Sequence, residues 1–242
     1  MSQEESFKTI YVMCANQKGG VGKSTVACLA SNETEDSIVV NIDQTQSVED
    51  INPGGISIDL TDNDIDLLTT LKEYDGMYKY IFIDTPSNFK PGQLDFDRIQ
   101  EVSPIIDLFI VPTKLGKRTM DGTLTTIDFL FGKGSGSDIL DRKPVNILFV
   151  LNEFAFTGDK KSAKDRASKY VSDNLLSELS SIDFEVDIES VNTSYLQSSK
   201  AIKTVEDKGK TLAELEETNK VAYRKLRSGV QLLRDEVAKI VA

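Results

Sequence analysis

Asn16-Gln17-Lys18-Gly19-Gly20-Val21-Gly22-Lys23-Ser24-Thr25 follows an apolar run over residues 10–15 and precedes a short helical pattern. A strand that enters a glycine-rich turn and then a helix is the setting of the phosphate-binding pattern G-x-x-x-x-G-K-[ST]. Gly22, Lys23 and Ser24 match the end of that pattern, while Gln17 stands where its first glycine belongs. Lys18 adds a second cation at the start of the turn, so two ammonium groups flank one anion site. Gly19, Gly20 and Gly22 let backbone N–H groups point inward at phosphate oxygens with no Cβ in the way. The anion then rests on a helix N-terminus, where unpaired amides and the macrodipole favour negative charge. From this position Lys23 reaches the outer phosphates and the Ser24 hydroxyl ligates Mg²⁺. The stretch therefore predicts a nucleoside triphosphate site in an α/β fold.

Residues 18–25 resemble the deviant Walker A box of the ParA/MinD superfamily of ATPases, and Asn16-Gln17 before them is of the ParA type. MinD and the nitrogenase iron protein carry glycine where Gln17 stands. The resemblance implies that Lys18 is a signature lysine, which reaches across an ATP-bridged homodimer to the partner's phosphates. It makes Lys18 and Lys23 catalytic, and it assigns ATP to Lys18, Gly19, Gly20, Val21, Gly22, Lys23, Ser24 and Thr25.

Two strand-like segments end in carboxylates. Ser37-Ile38-Val39-Val40-Asn41-Ile42-Asp43 is similar to the family's D-x-D-P-Q box, with Asp43 in the place of the second aspartate. The resemblance puts Asp43 near Mg²⁺ and the attacking water. Asn41, Gln44 and Thr45 depart from that box, so the switch after Asp43 is atypical. Tyr80-Ile81-Phe82-Ile83-Asp84-Thr85-Pro86 resembles a Walker B strand, in which Asp84 holds a Mg²⁺-bound water. An aspartate at a strand end is also ordinary turn chemistry. What distinguishes these two is that they must converge with the phosphate loop at the carboxyl edge of one sheet. Phe149-Val150-Leu151-Asn152 resembles the strand whose terminal asparagine contacts adenine, a place where a generic turn asparagine also occurs.

Composition narrows the chemistry. The 242 residues include no histidine, which removes Ser-His-Asp triads, HExxH zinc sites and imidazole acid–base catalysis. Cys14 and Cys28 are too few for a disulfide framework and lack metal-ligand spacing, so they read as small core residues. Lysines, carboxylates, backbone amides and Mg²⁺ remain, and phosphoryl transfer to water suits that set. The acidic start Met1-Ser2-Gln3-Glu4-Glu5-Ser6 is no signal peptide, and no apolar run approaches membrane-spanning length, so the expected location is cytoplasmic.

Apolar strands alternating with helical patterns predict a mostly parallel twisted sheet with helices on both faces. Strands are expected over residues 9–14, 38–42, 80–83, 106–111 and 145–151, with a short one near 184–188. Helices are expected over 23–32, 65–74 and 119–131, and Gly132-Lys133-Gly134-Ser135-Gly136-Ser137 reads as a surface loop. Residues 201–215 resemble the segment before the last helix of ParA-type proteins. The resemblance covers nearly the whole chain, which implies a single P-loop ATPase domain over residues 1–242 without an N-terminal helix-turn-helix.

In the ParA branch the ATP-bound dimer holds DNA non-specifically, and a ParB-like, DNA-bound partner stimulates hydrolysis, which segregates plasmid or chromosomal DNA on the nucleoid. A net charge of -11 opposes a polyanion on average, so the distribution of charge decides. Residues 159–170 hold Lys160, Lys161, Lys164, Arg166 and Lys169 against Asp159 and Asp165, a local net of +3. Lys220, Arg224, Arg227 and Arg234 share one helix face opposite the stripe Leu226, Val230, Leu233, Val237 and Ile240. That row reads either as a DNA contact or as the solvated side of an amphipathic helix. Positioning of a protein cargo on the nucleoid would leave the same core motifs. A MinD-like membrane cycle fits poorly, because residues 231–242 contain no aromatic anchor. An iron-protein role lacks cluster cysteines, and a P-loop ligase such as dethiobiotin synthetase is the remaining enzyme reading.

Overall fold

The structure is a computed structural model that describes residues 7–32, 34–43, 55–58, 66–132, 144–155, 159–184, 187–197, 217 and 220–241. Seven strands, β1 (Ile10–Cys14), β2 (Ser37–Asn41), β3 (Ile56–Ser57), β4 (Tyr80–Asp84), β5 (Leu108–Thr113), β6 (Val145–Phe154) and β7 (Ile188–Gln197), form one sheet in the order β3-β2-β4-β1-β5-β6-β7. Every pairing between these strands is parallel. The apolar runs of β1, β4, β5 and β6 are buried on both faces, as a parallel sheet covered on both sides requires.

Side chains alternate between two cores. Tyr11, Met13, Ile81, Ile83, Phe109 and Phe149 face one layer built from α2 (Leu67–Lys72), α3 (Leu94–Val102), α4 (Lys117–Phe131) and α5 (Lys160–Val171). Val12, Cys14, Phe82, Ile110 and Val150 face the other, built from α1 (Lys23–Asn32) and the last helix, Lys220–Ile240. After α5 the chain makes a π-helical turn over Ser172–Leu176 and continues as α6 (Ser177–Leu179), so the last helix is α7. Tyr223, Leu226, Val230, Leu233 and Val237 of α7 are buried against α1 and the sheet, with Ile240 packed beside them, which realises the expected apolar stripe.

Two strand expectations are adjusted and one strand is added. The last strand is Ile188–Gln197 rather than 184–188, and Phe184 instead forms an isolated antiparallel bridge with Gly132. β7 is an edge strand, half solvated and rich in Ser, Asn and Thr, so an apolar run does not mark it. β5 begins at Leu108, because Ser103–Ile105 forms a 3₁₀ turn and Ile106 follows it in extended backbone. β3 is a two-residue strand with no sequence period to reveal it. Residues 133–137 of the glycine loop, residues 201–215, and Gln44 and Thr45 lie outside the described residues.

The topology places the phosphate loop at the middle of the sheet. β1 is flanked by β4 and β5, and connections leave it in both directions, so its carboxyl end opens into the crevice where doubly wound sheets bind ligands. Cys14, Asp84 and Asn41 stand side by side in register across β1, β4 and β2 at that edge.

Candidate functional site

The loop between β1 and α1 turns at Gly20 and Gly22, whose φ angles of 74° and 92° suit glycine. Lys23 opens α1 at 5% exposure, and its ammonium donates to the Ser87 hydroxyl at 2.6 Å. Burial pulls the Lys23 pKa below its ordinary range, opposed by the attraction of Asp84 and then of Asp43. Lys18 is exposed, with its stem against Gly122 of α4. The two lysines of the motif thus differ: one cation is enclosed with the carboxylates and the other is exposed, its stem beside α4.

Asp84 is fully buried, and neither carboxylate oxygen meets a hydrogen-bond partner. Burial pushes its pKa up to about 7, with Asp43 adding to the rise, while the nearby Ser24 hydroxyl and Lys23 pull it down. Ser24 therefore lies close enough to favour the ionised form, although it completes no hydrogen bond to Asp84 of ordinary geometry. A buried carboxylate left this way costs free energy unless a ligand completes it. Mg²⁺ fits: it takes hard oxygen donors, keeps several waters, and is held by one or two carboxylates together with phosphate oxygens. Asp84, Asp43 and the Ser24 hydroxyl supply such donors, and no set of three or more Cys, Asp or Glu residues suited to a metal occurs among the described residues. The ion would then depend on the phosphates for the rest of its shell.

Asp43 is buried at 2% exposure just beyond β2, where its backbone N–H donates to the Asn41 carboxamide at 2.9 Å. Asn41 is the departure from the family's box, and it keeps an acceptor at this point without adding a third negative charge beside Asp84 and Asp43. Cys14 and Cys28 are buried, and burial raises both thiols, so neither is poised as a thiolate.

Asn152 is buried near the end of β6 and bonded to the loop. Its Nδ2 donates to the Val21 carbonyl at 2.9 Å and its Oδ1 accepts the Glu153 N–H at 2.9 Å. A Cβ on Gly22 would come within 2.0 Å of that Nδ2, so Gly22 is required by close approach as well as by φ. Glu153 follows with φ 54° and pairs with Lys114 at 2.6 Å.

The sequence reading missed a network behind the loop. Asn16 is fully buried: its Oδ1 accepts the Lys18 N–H at 2.8 Å, and its Nδ2 donates to the Pro112 carbonyl at 2.8 Å and to Thr123 at 3.0 Å. The Gln17 N–H donates to Thr126 at 2.8 Å. Thr123 and Thr126 stand three apart on the buried face of α4, and a pair of hydroxyls on an otherwise apolar helix stripe was the available signal.

The basic residues divide. Lys161, Arg166, Arg224 and Arg227 are exposed, with Arg227 lying 5.7 Å from the Tyr223 ring centre. Lys164 is bonded to Glu236, which ties α5 to α7. Arg234 pairs with Asp235 at 2.9 Å and lines a 330 Å³ cavity together with Glu35 and Asp36. Lys160 opens α5 and Lys220 opens α7. Lys164 and Arg234 are thus each paired with a carboxylate while 42% of either side chain stays exposed. No helix of the described residues is long and apolar enough to cross a membrane.

No protein-family model matches the chain, and no curated protein matches its sequence. Solved structures match the fold over nearly the whole length. A complex of a Cyanothece McdA variant with ATP aligns with a TM-score of 0.63 at 13% identity, over 96% of this chain and 97% of that one. The pNOB8 ParA bound to nonspecific DNA gives 0.55 at 14%, over 96% and 98%. The MinD cell division protein of Aquifex aeolicus gives 0.54 at 14%, over 93% and 97%. The fold is that of the ParA/MinD-type ATPases, as the deviant Walker A resemblance implies.

Proposed function

We propose that the chain is a ParA-type ATPase, one domain over residues 1–242, whose Mg²⁺-ATP joins two copies into a dimer. The dimer holds DNA without regard to sequence, and a DNA-bound, ParB-like partner stimulates hydrolysis to move plasmid or chromosomal cargo across the nucleoid in the cytoplasm. One observation carries the reading: a buried, partnerless carboxylate, Asp84, beside Lys23 and Ser24 at the carboxyl end of the central strands.

In this reading backbone amides of the loop and the Lys23 ammonium bind the phosphates, and Ser24 and Asp84 hold Mg²⁺, which neutralises charge on the transferred group. Asp43 orients the attacking water. Lys18, exposed at the loop's start, completes charge neutralisation in the other subunit. ATP in the McdA complex and nonspecific DNA on pNOB8 ParA support carrying both ligands to this chain. The DNA surface consists of the exposed Lys161 on α5 and Arg224 and Arg227 on α7, with Lys160 and Lys220 opening the same helices; Lys164 and Arg234 contribute less because carboxylates already hold them. Clustered cations serve phosphate binding even on an acidic chain.

The test is a DNA titration at two salt concentrations with ATP, ADP and no nucleotide. Binding is expected only with ATP, to weaken steeply with salt, and to be lost in an Arg224→Glu, Arg227→Glu double variant that still hydrolyses ATP. Nucleotide-independent binding, or retention by the double variant, would send the α7 row back to a solvated helix face.

A further inference from the structure

The residue that breaks the phosphate-loop pattern, Gln17, is tied to a segment on the far side of the site. The Gln17 side-chain Nε2 donates to the Phe89 carbonyl at 3.2 Å, and the Gln17 carbonyl accepts the Asn88 N–H at 2.9 Å. These two bonds clamp residues 88 and 89 to the start of the phosphate loop. At its other end the loop's Lys23 ammonium donates to Ser87 at 2.6 Å. Residues 85–89, which leave β4 directly after Asp84, therefore lie along the loop from its first side chain to its lysine.

The segment is held firmly enough to matter. The Phe89 side chain is buried at 1% exposure and stacks on Phe96, with ring centres 6.4 Å apart. Thr85 bonds back to the Cys14 carbonyl through its hydroxyl at 3.0 Å. Between these anchors Asn88 takes a left-handed φ of 65°, which turns the backbone and leaves Ser87 at the crest, facing Gly19 and Lys23. Glycine at position 17 could still offer its carbonyl, but it would leave the Phe89 carbonyl without the carboxamide donor.

We propose that Ser87 is a specificity residue for the outermost phosphate and that Gln17 is the residue that positions it; the proposal rests on the nucleotide reading given above. The phosphate-loop lysine serves the outer phosphates. An ammonium has three donors, so Lys23 can keep its bond to Ser87 while it takes a phosphate oxygen. A hydroxyl fixed 2.6 Å from that ammonium is then within reach of the oxygens that the lysine gathers. A diphosphate, shorter by one group, extends less far towards it.

The experiment is calorimetric titration with Mg²⁺ and either a non-hydrolysable ATP analogue or ADP, on the wild type, Ser87→Ala, Ser87→Thr and Gln17→Ala. Ser87→Ala is expected to lower the preference for triphosphate over diphosphate about tenfold, the effect of one hydrogen bond to a charged group. ADP affinity should stay within about twofold, and Ser87→Thr should restore the preference. Gln17→Ala is expected to lower it about threefold, since it removes one neutral hydrogen bond that holds the segment. A merely structural role would weaken both nucleotides alike. Equal loss for the two nucleotides, or an unchanged ratio in Ser87→Ala, overturns the proposal while leaving the nucleotide site intact; a wild type that binds neither nucleotide overturns the site itself.

Discussion

Asp84 shows what a single misfit residue can say. Its neighbours across the sheet are Cys14 and Asn41, and its carboxylate has no partner of hydrogen-bond geometry. Burial pushes its pKa up from an ordinary 3.8 to about 7. The folded chain therefore binds this proton more tightly than the unfolded chain. Stability from this group is fully present below about pH 4, declines as pH rises towards 7, and is flat beyond. Asp84→Asn is accordingly expected to make the metal-free protein more stable than the wild type at pH 8, with the gap narrowing towards pH 5. At roughly 1.4 kcal/mol per pKa unit the difference at pH 8 amounts to a few kcal/mol. Urea unfolding of both proteins at the two pH values measures it; a wild type at least as stable as the asparagine variant at pH 8 would mean that the carboxylate is satisfied after all.

Among the elements, α4 carries more of the site than its sequence announces. Thr126 is fully buried, and its hydroxyl accepts the Gln17 N–H at 2.8 Å and donates to the Gly122 carbonyl at 2.8 Å. Gly122 in turn makes room for the Lys18 stem, whose Cβ lies 3.2 Å from where a Cβ on Gly122 would stand. The helix thus fixes where the deviant half of the loop begins. Thr126→Val keeps the shape but leaves the Gln17 N–H unpaired, and is expected to cost about 1–3 kcal/mol of unfolding free energy. Denaturant midpoints at constant slope check this, and a change within error would remove Thr126 from the loop's support. The loop itself could be read from its string of residues because glycine, lysine and serine at fixed spacing are demanded by local chemistry. The support could not, since Asn16 meets Thr126 across 110 positions and such pairs leave no periodic trace. The same contrast separates the buried strands β1, β4 and β6, marked by apolar runs, from the edge strand β7, which pairs on one side only and tolerates polar residues.

At the scale of the whole molecule the proposed dimer has to bring together two copies that each carry a net charge of -11. Their mean fields repel, although salt of physiological strength screens that repulsion beyond about 8 Å. The face-to-face association proposed above would therefore require local cations, and the loop offers two of different kinds. Lys23 is enclosed with Asp43 and Asp84 and in the proposed dimer would serve its own subunit's phosphates, whereas Lys18 is exposed. The division predicts different failures. Lys23→Ala should abolish nucleotide binding, because the phosphates lose their buried countercharge. Lys18→Ala should bind the non-hydrolysable analogue within a few-fold of the wild type yet stay monomeric, because nothing then offsets the phosphates where two copies meet. Light scattering with and without the analogue, beside a binding titration, separates the two variants. A Lys18→Ala protein that doubles its mass on the analogue as the wild type does would show that the exposed lysine plays no part in joining the copies.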